Sequence, residues 1–159
     1  ALRLALRLAD GGGTEVHLLN AQSLLGTEPG DDTLLRRGLE DTRAARTALA
    51  ASGRPYVLRL VAGMPGQAIL AYAGEHGVAE IVMGADGAGG VACALLGSVA
   101  MDVLENAWLP VTLVKSGGRA GRPEDEGDDW LVACDGSESS LRALRHALAH
   151  LAGRHDGAR

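Results

Sequence analysis

Apolar positions along the chain fall into short runs of strand length that alternate with stretches of helical spacing. The strand-length runs occupy residues 14–20, 55–61, 79–84, 110–115 and 130–135. Apolar residues recur at helical spacing within residues 1–9, 34–51, 65–75, 98–107 and 138–152. Helices that connect successive strands require parallel pairing with right-handed crossovers. The pattern therefore predicts an α/β fold, with a doubly wound five-stranded parallel sheet and helices on both faces.

One segment interrupts this alternation. Residues 116–128 contain four glycines, one proline and six charged residues, and they show no apolar period. Such a composition is typical of a linker. The linker divides the chain into a larger unit at residues 1–115 and a strand and helix at residues 129–159.

The strongest indication of a ligand lies where the third strand ends. Residues 79–83 form an apolar run suited to a buried parallel strand, and Gly84 follows it directly. Gly87 comes next, and Gly97 with Ser98 precedes a helical stretch. Glycine lets backbone N–H groups approach an anion closely, and a serine hydroxyl would lie beside the unpaired amides of a helix N-terminus. The pattern predicts a phosphate-binding loop for a nucleotide.

This spacing, Gly-x2-Gly-x9-Gly-Ser, resembles the nucleotide motif of the universal stress protein family in its ATP-binding branch. The four fixed positions of that motif are matched by Gly84, Gly87, Gly97 and Ser98. Met83 fits the family's usual Met-Gly strand end, and residues 110–115 look like its last strand. The resemblance covers about the whole chain, and it implies the adenine nucleotide alpha hydrolase-like fold.

A second hallmark of the family, an apolar strand leading into Asp-Gly-Ser, appears at residues 131–137. In the family this strand opens the domain, whereas here it follows the last strand. Residues 1–9 look like the helix that should follow the missing opening strand, and residues 143–148 repeat them. The resemblance thus implies a core at 1–115 without its opening strand, followed after the linker by an opening unit at 129–159. A tandem-derived segment and a circular rearrangement both remain open.

The family analogy places residues 130–135 at the centre of the sheet, between the strands at 14–20 and 79–84. A central gap would leave two rows of backbone groups unpaired. We therefore expect residues 130–135 to supply the central strand, either within the same chain or by exchange with a second copy. The linker permits both, because a chain of its length spans about 40 Å when extended.

The resemblance also implies a ligand and its contacts. The ligand is ATP, with Mg²⁺ as a companion ion that the sequence leaves open. The residues implied to bind it are Met83, Gly84, Gly87, Gly97, Ser98, Val99, Asp135 and Ser137. Plainer interpretations exist: the glycines and Ser98 would form a loop and a helix cap without a ligand, and Asp135 would cap the helix that begins near Glu138.

Metal binding and catalysis find less support in the sequence. His146 and His150 lie four residues apart on a predicted helix, which places both on one face as metal ligands require. No third ligand stands near them in the sequence, so we expect a solvated helix face and assign no metal site. No catalytic residue is assigned either, because neither a Gly-x-Ser-x-Gly elbow nor a Walker lysine motif occurs.

Composition narrows the class of protein. Aromatic residues make up 3% of the chain and Phe is absent, so the core must consist of Leu, Val, Ala and Ile. The net charge of −5, with Lys115 as the only lysine, argues against a nucleic-acid partner. No apolar run predicts a membrane span, and no signal peptide is visible. Cys93 and Cys134 show neither metal nor redox spacing, so the cytoplasm is the expected location.

The function that the resemblance implies is an ATP-binding, nucleotide-dependent regulatory module of the stress response, working as a homodimer. We expect at most slow ATP hydrolysis, since no catalytic group can be placed beside the γ-phosphate. The alternative is a stress protein without nucleotide that acts as a dimerising interaction module through the edge of the 110–115 strand. A nucleotide-using enzyme of the wider doubly wound group is a third possibility. The sequence does not distinguish ATP from AMP.

Overall fold

The structure, a computed structural model, describes residues 1–9, 14–23, 32–85, 96–115 and 131–156, with side chains to residue 152. The helices are α1 (Leu2–Leu8), α2 (Thr33–Asp41), α3 (Arg43–Ser52), α4 (Pro65–Glu75), α5 (Ser98–Asn106) and α6 (Glu138–Asp156). The strands are β1 (Val16–Gln22), β2 (Tyr56–Ala62), β3 (Ile81–Gly84) and β4 (Val111–Val114). Strands and helices alternate in an α/β arrangement, as the apolar pattern predicts for residues 1–115.

The strands pair in parallel in two separate sheets. β1 pairs with β2 in a register from Val16 opposite Tyr56 to Gln22 opposite Ala62. β3 pairs with β4 in a register that begins with Ile81 opposite Val111. Among the described strands, none joins the two pairs into one sheet. One edge of each pair therefore faces the place that a fifth strand would fill.

The predicted helix at 34–51 forms as two helices that meet at Thr42. The Thr42 side chain is buried, and its hydroxyl donates a 2.7 Å hydrogen bond to the carbonyl of Gly38. The backbone hydrogen bonds continue across the junction, with the Arg46 N–H donating to the Thr42 carbonyl at 2.9 Å. A threonine that bonds back to the preceding turn bends a helix. The prediction therefore gives the correct extent of helix, but it does not include the bend at Thr42.

The core lies where α4 and α5 pack against β3. Its buried members are Leu70, Ala73, Ile81 and Val103. Small and aliphatic side chains dominate this cluster, as the low aromatic content requires. None of the described helices combines the length and apolarity needed to cross a membrane.

Residues 131–135, the described part of the central strand predicted at 130–135, form no strand. They belong to neither sheet, and Leu131 is 98% exposed. The Asp135 carboxylate instead accepts a 2.9 Å hydrogen bond from the backbone N–H of Ser137, which joins this segment to the start of α6. Insertion in the same chain is therefore wrong for this structure. The predicted linker at 116–128 lies outside the described residues.

The resemblance implies that residues 1–9 and 143–148 are two copies of one helix, and competition for one site would displace residues 1–9. Instead both copies pack against the body of the protein. Ala9, at the end of α1, and Ala147, on α6, are buried. Both helices line a groove of about 550 Å³ between the beginnings of β1 and β3, which we call the strand-gap groove. The sequence leaves open whether these two segments compete for one site, and the structure shows no displacement of residues 1–9.

Burial on α3 gives a direct test of this packing. Leu49 is fully buried, whereas Leu35 on α2 is 51% exposed. Leu49→Ala should lower the free energy of unfolding by about 2–5 kcal/mol, because it removes buried methyl groups and leaves a cavity. Leu35→Ala should change it by less than about 0.5 kcal/mol. Urea unfolding of both variants measures the difference, and equal losses would contradict the packing described here.

Candidate functional site

A cleft of about 550 Å³ opens at the carboxyl ends of the strands. It is lined by the residue after β1, by the turn from β2 into α4 and by the first two turns of α5: Ser23, Gly63, Met64, Pro65, Gly66, Ser98, Val99 and Asp102. Ligands of parallel α/β sheets bind beyond the carboxyl ends of the strands. A volume of this size lies within the usual range for small-molecule sites, roughly 300–1,000 Å³.

Backbone hydrogen bonds bring the two ends of the glycine motif together. The Ala85 N–H donates to the Val114 carbonyl at 2.9 Å, which continues the pairing of β3 with β4 past Gly84. The Gly97 N–H in turn donates to the Ala85 carbonyl at 2.8 Å. The segment between them therefore begins and ends at one point on the sheet edge. Gly87, the second glycine of the motif, lies outside the described residues.

Helix α5 begins at the cleft. Gly97 is its N-cap, and no described side chain caps the helix. Its φ of −61° is accessible to any residue, so backbone strain does not require glycine there. Ser98 is exposed and Val99 is half-buried, and both line the cleft. Uncapped first-turn amides carry partial positive charge and favour an anion.

Helix α4 begins at the same cleft. Gly63 has a φ of 146°, a conformation that favours glycine, and it reverses the chain between β2 and α4. The Gly63 N–H donates to the Gln22 carbonyl at 2.8 Å, so the turn is attached to the end of β1. Pro65 occupies the first turn, and no described side chain caps this helix. Two helix N-termini therefore converge on one cleft.

Asp102 is the charged group of the described lining, and the sequence interpretation missed it. Its carboxylate lies against the buried Gly66, where a methyl group would collide with it. Its Oδ1 also accepts a 3.1 Å hydrogen bond from Asn106 Nδ2. Its position four residues after Ser98 could have identified it as a cleft residue, because this spacing places both side chains on one face of α5. A carboxylate here repels phosphate but attracts a divalent cation.

The remaining predicted residues do not meet in this cleft. Met83 packs against the core cluster, and Gly84 ends β3 beside the motif closure. Asp135 and Ser137 lie at the beginning of α6, where both are exposed and neither lines the cleft. Ser137 Oγ accepts a 3.2 Å hydrogen bond from the Ser140 N–H, so these residues cap the helix. Their position is that of a helix cap, the alternative to ligand contact that the sequence offers for Asp135.

Comparison with known proteins agrees with the architecture. Residues 1–115 match the model of the Universal stress protein family, Usp. No curated protein sequence matches the chain. The matched region contains both sheets and the cleft, whereas α6 lies outside it.

Several solved structures are similar. The hypothetical protein MJ0577 aligns with a TM-score of 0.61 and 25% identity, over 74% of this chain and 86% of its own. A universal stress protein from Archaeoglobus fulgidus aligns with a TM-score of 0.58 and 27% identity, over 72% of this chain and 81% of its own. Universal stress protein UspA from Lactobacillus plantarum, at 21% identity and a TM-score of 0.50, shares the fold over 71% of this chain and 83% of its own.

The cap at the beginning of α6 makes a testable electrostatic prediction. Hydrogen bonds from the Ser137 side chain and backbone, and then from the Ser140 side chain, lower the pKa of Asp135 from 3.8 to about 2. Because the folded-state pKa is depressed, the cap stabilises the folded chain above pH 3.8 and is lost as the pH falls toward 2. Carboxyl NMR titration of the parent should give a pKa of about 2.

A double variant, Ser137→Ala with Ser140→Ala, should return the Asp135 pKa toward its ordinary value, since both hydroxyl donors are removed. Ser139→Ala, on the same exposed turn, is the matched control and should leave the pKa unchanged. An ordinary pKa in the parent would contradict the capping geometry.

Proposed function

This chain belongs to the universal stress protein family, and we propose that it binds ATP in the cleft as a nucleotide-dependent regulatory module. The observation that carries the proposal is the convergence of the α4 and α5 N-termini beside the closed glycine motif. Aligned first-turn amides favour phosphate without requiring a lysine. The phosphates would lie against Gly97, Ser98 and Val99, with the Ser98 hydroxyl as a further donor. Gly84 and Gly87 would complete the loop around them.

Asp102 supports a companion Mg²⁺ ion. Its carboxylate shares the cleft with Ser98, so an anion bound there without a counterion would be repelled. Mg²⁺ binds through one or two carboxylates together with phosphate oxygens and water. Asp102 would hold the ion, which would supply positive charge beside the phosphates.

Binding rather than turnover is the proposed role. Phosphoryl transfer depends on cations that neutralise the transferring group and on a residue that positions the nucleophile. The described lining of the cleft contains one carboxylate and no arginine or lysine. Bound nucleotide would instead order the two helix N-termini and so change which surface the protein presents to a partner.

Nucleotide carried through purification tests the proposal directly. The purified full chain is denatured, and the released small molecules are identified by mass spectrometry. The parent should release ATP. Gly97→Val should release none, because its backbone angles accept valine while the side chain would fill the space beside the amides.

Titration of nucleotide-free protein with magnesium-ATP supplies the quantitative arm. Ser98→Ala should weaken binding about tenfold to a hundredfold, since a hydrogen bond to a charged group contributes about 1.5–3 kcal/mol. Ser139→Ala, exposed on α6, is the matched control and should bind like the parent. If the parent neither retains ATP through purification nor binds magnesium-ATP on titration, ATP binding is overturned. Unchanged affinity in Ser98→Ala would overturn the assignment of the phosphates to Ser98.

A second candidate, a dimerising interaction module, is favoured by the edge of β4. Among the described strands β4 pairs with β3 alone, and its four residues are half-buried. The carbonyls of Pro110 and Val114 accept hydrogen bonds from the β3 side. Backbone groups of alternate residues point to opposite sides of a strand, so those of Val111 and Leu113 face the open edge.

An exchanged central strand is the other proposed route to a homodimer. Residues 131–135 belong to neither sheet, and β1 and β3 each keep an edge toward the strand-gap groove. A second copy's segment could pair there. Insertion would also carry Asp135 and Ser137 toward the carboxyl ends of the strands, where the family resemblance places their contacts with nucleotide.

Light scattering across a range of protein concentrations distinguishes the two routes, given a dimeric parent. Leu113→Pro removes a donor from the outer edge of β4, so it should produce a monomer if that edge pairs. Val132→Pro should produce a monomer only if residues 131–135 are exchanged. A parent that is monomeric throughout would contradict both.

A further inference from the structure

The strand-gap groove contains four of the five histidines of the chain: His17, His76, His146 and His150. Two of them meet one carboxylate. The Nε2 atoms of His146 and His150 lie 3.5 Å and 3.2 Å from the same oxygen, Glu80 Oε2. Glu80 directly precedes β3, and both histidines are on α6. We call these three residues the Glu-His-His cluster.

We propose that the Glu-His-His cluster is a Zn²⁺ site. The three ligand atoms all lie within 4.8 Å of one another. Atoms bound to one tetrahedral zinc ion at 2.0–2.1 Å are separated by about 3.3 Å, so small side-chain adjustments complete the geometry. Two imidazoles and one carboxylate form a donor set that suits zinc, and the fourth position would be open to water.

The surroundings of Glu80 prepare it as a ligand. Thr112 Oγ1 donates a 2.6 Å hydrogen bond to Glu80 Oε1, which leaves Oε2 directed at the histidines. The Glu80 side chain is only 13% exposed. Outer hydrogen bonds of this kind orient metal-binding carboxylates and tune their affinity. Thr112 therefore acts as a positioning residue on the neighbouring strand β4.

The other two histidines of the groove have different contacts. His17 Nδ1 lies 2.7 Å from the Tyr72 hydroxyl, and its Nε2 lies 3.3 Å from Glu15 Oε2. His76 stacks on Tyr72, with ring centroids 3.9 Å apart, and its Nδ1 lies 2.9 Å from the Tyr72 carbonyl. These contacts engage both rings with Tyr72, whereas His146 and His150 contact Glu80. His76 is therefore a matched control within the same groove.

Zinc would join two parts of the chain that the sequence separates. Glu80 lies within the residues that match the family, whereas His146 and His150 lie beyond them. The sequence interpretation missed the third ligand because Glu80 is 70 positions from His150. A bound ion would fasten α6 across the strand-gap groove. Without metal, His150 Nε2 lies within hydrogen-bond distance of Glu80 Oε2, and His146 Nε2 lies slightly farther from it.

Zinc titration of the full chain, after removal of metal with a chelator, tests the site. Competition with a chromophoric chelator gives the dissociation constant and the stoichiometry. The parent should bind one Zn²⁺ per chain, and Mg²⁺ should not compete, because Mg²⁺ prefers oxygen ligands. Thr112→Val should weaken binding about 10–100-fold. His146→Ala and His150→Ala should each weaken it more than Thr112→Val does, and His76→Ala should leave it unchanged.

A second readout separates metal binding from folding. Zinc should raise the thermal unfolding temperature of the parent and of His76→Ala, but not that of His146→Ala or Glu80→Gln. In the unmodified chain, Co²⁺ should give the visible absorption of a tetrahedral site. Absence of stoichiometric zinc in the parent, equal competition by Mg²⁺, or unchanged affinity in both histidine variants would overturn the proposal.

Discussion

Backbone pairing between parallel strands organises this structure. Hydrogen bonds join β1 to β2 and β3 to β4. The positions of these two pairs determine where the connecting helices pack. Among the described strands both outer edges of each pair lack a neighbour, and the edges of β1 and β3 face the gap between the two sheets. Buried backbone groups need partners, so that gap is the part of the molecule most open to another segment or another copy.

The direction of the strands separates two sites with different chemistry. At the carboxyl ends, amides of two helix N-termini surround a cleft with hydroxyl groups and one carboxylate, an arrangement suited to phosphate with a cation. At the amino ends, the strand-gap groove collects imidazoles and carboxylates, which suit a transition metal. The first site lies within the family-matched region, while the second needs α6 from outside it. Substitutions can therefore change the cleft without touching the residues of the strand-gap groove, and the reverse.

Local patterns predicted much of this arrangement, and long-range contacts account for what they missed. Apolar runs located β1 to β4 to within two residues, because buried parallel strands need continuous apolar segments. The glycine motif located Ser98 and Val99 in the cleft. The prediction of a strand at 130–135 was not met by residues 131–135, because an apolar run forms a strand only where the fold places it beside another strand. The contact of Glu80 with α6 was not predicted for the same reason, since only the fold brings Glu80 to that helix.

Amide hydrogen exchange of the full chain, with and without magnesium-ATP, shows where nucleotide binds. We expect slower exchange at Gly66, Ser98 and Val99 when nucleotide is present, because these residues line the cleft where the proposed phosphates bind. The amides of the strand-gap groove should exchange at the same rate in both samples. Protection confined to that groove, or no change at the beginning of α5, would contradict the assignment of the cleft as the nucleotide site.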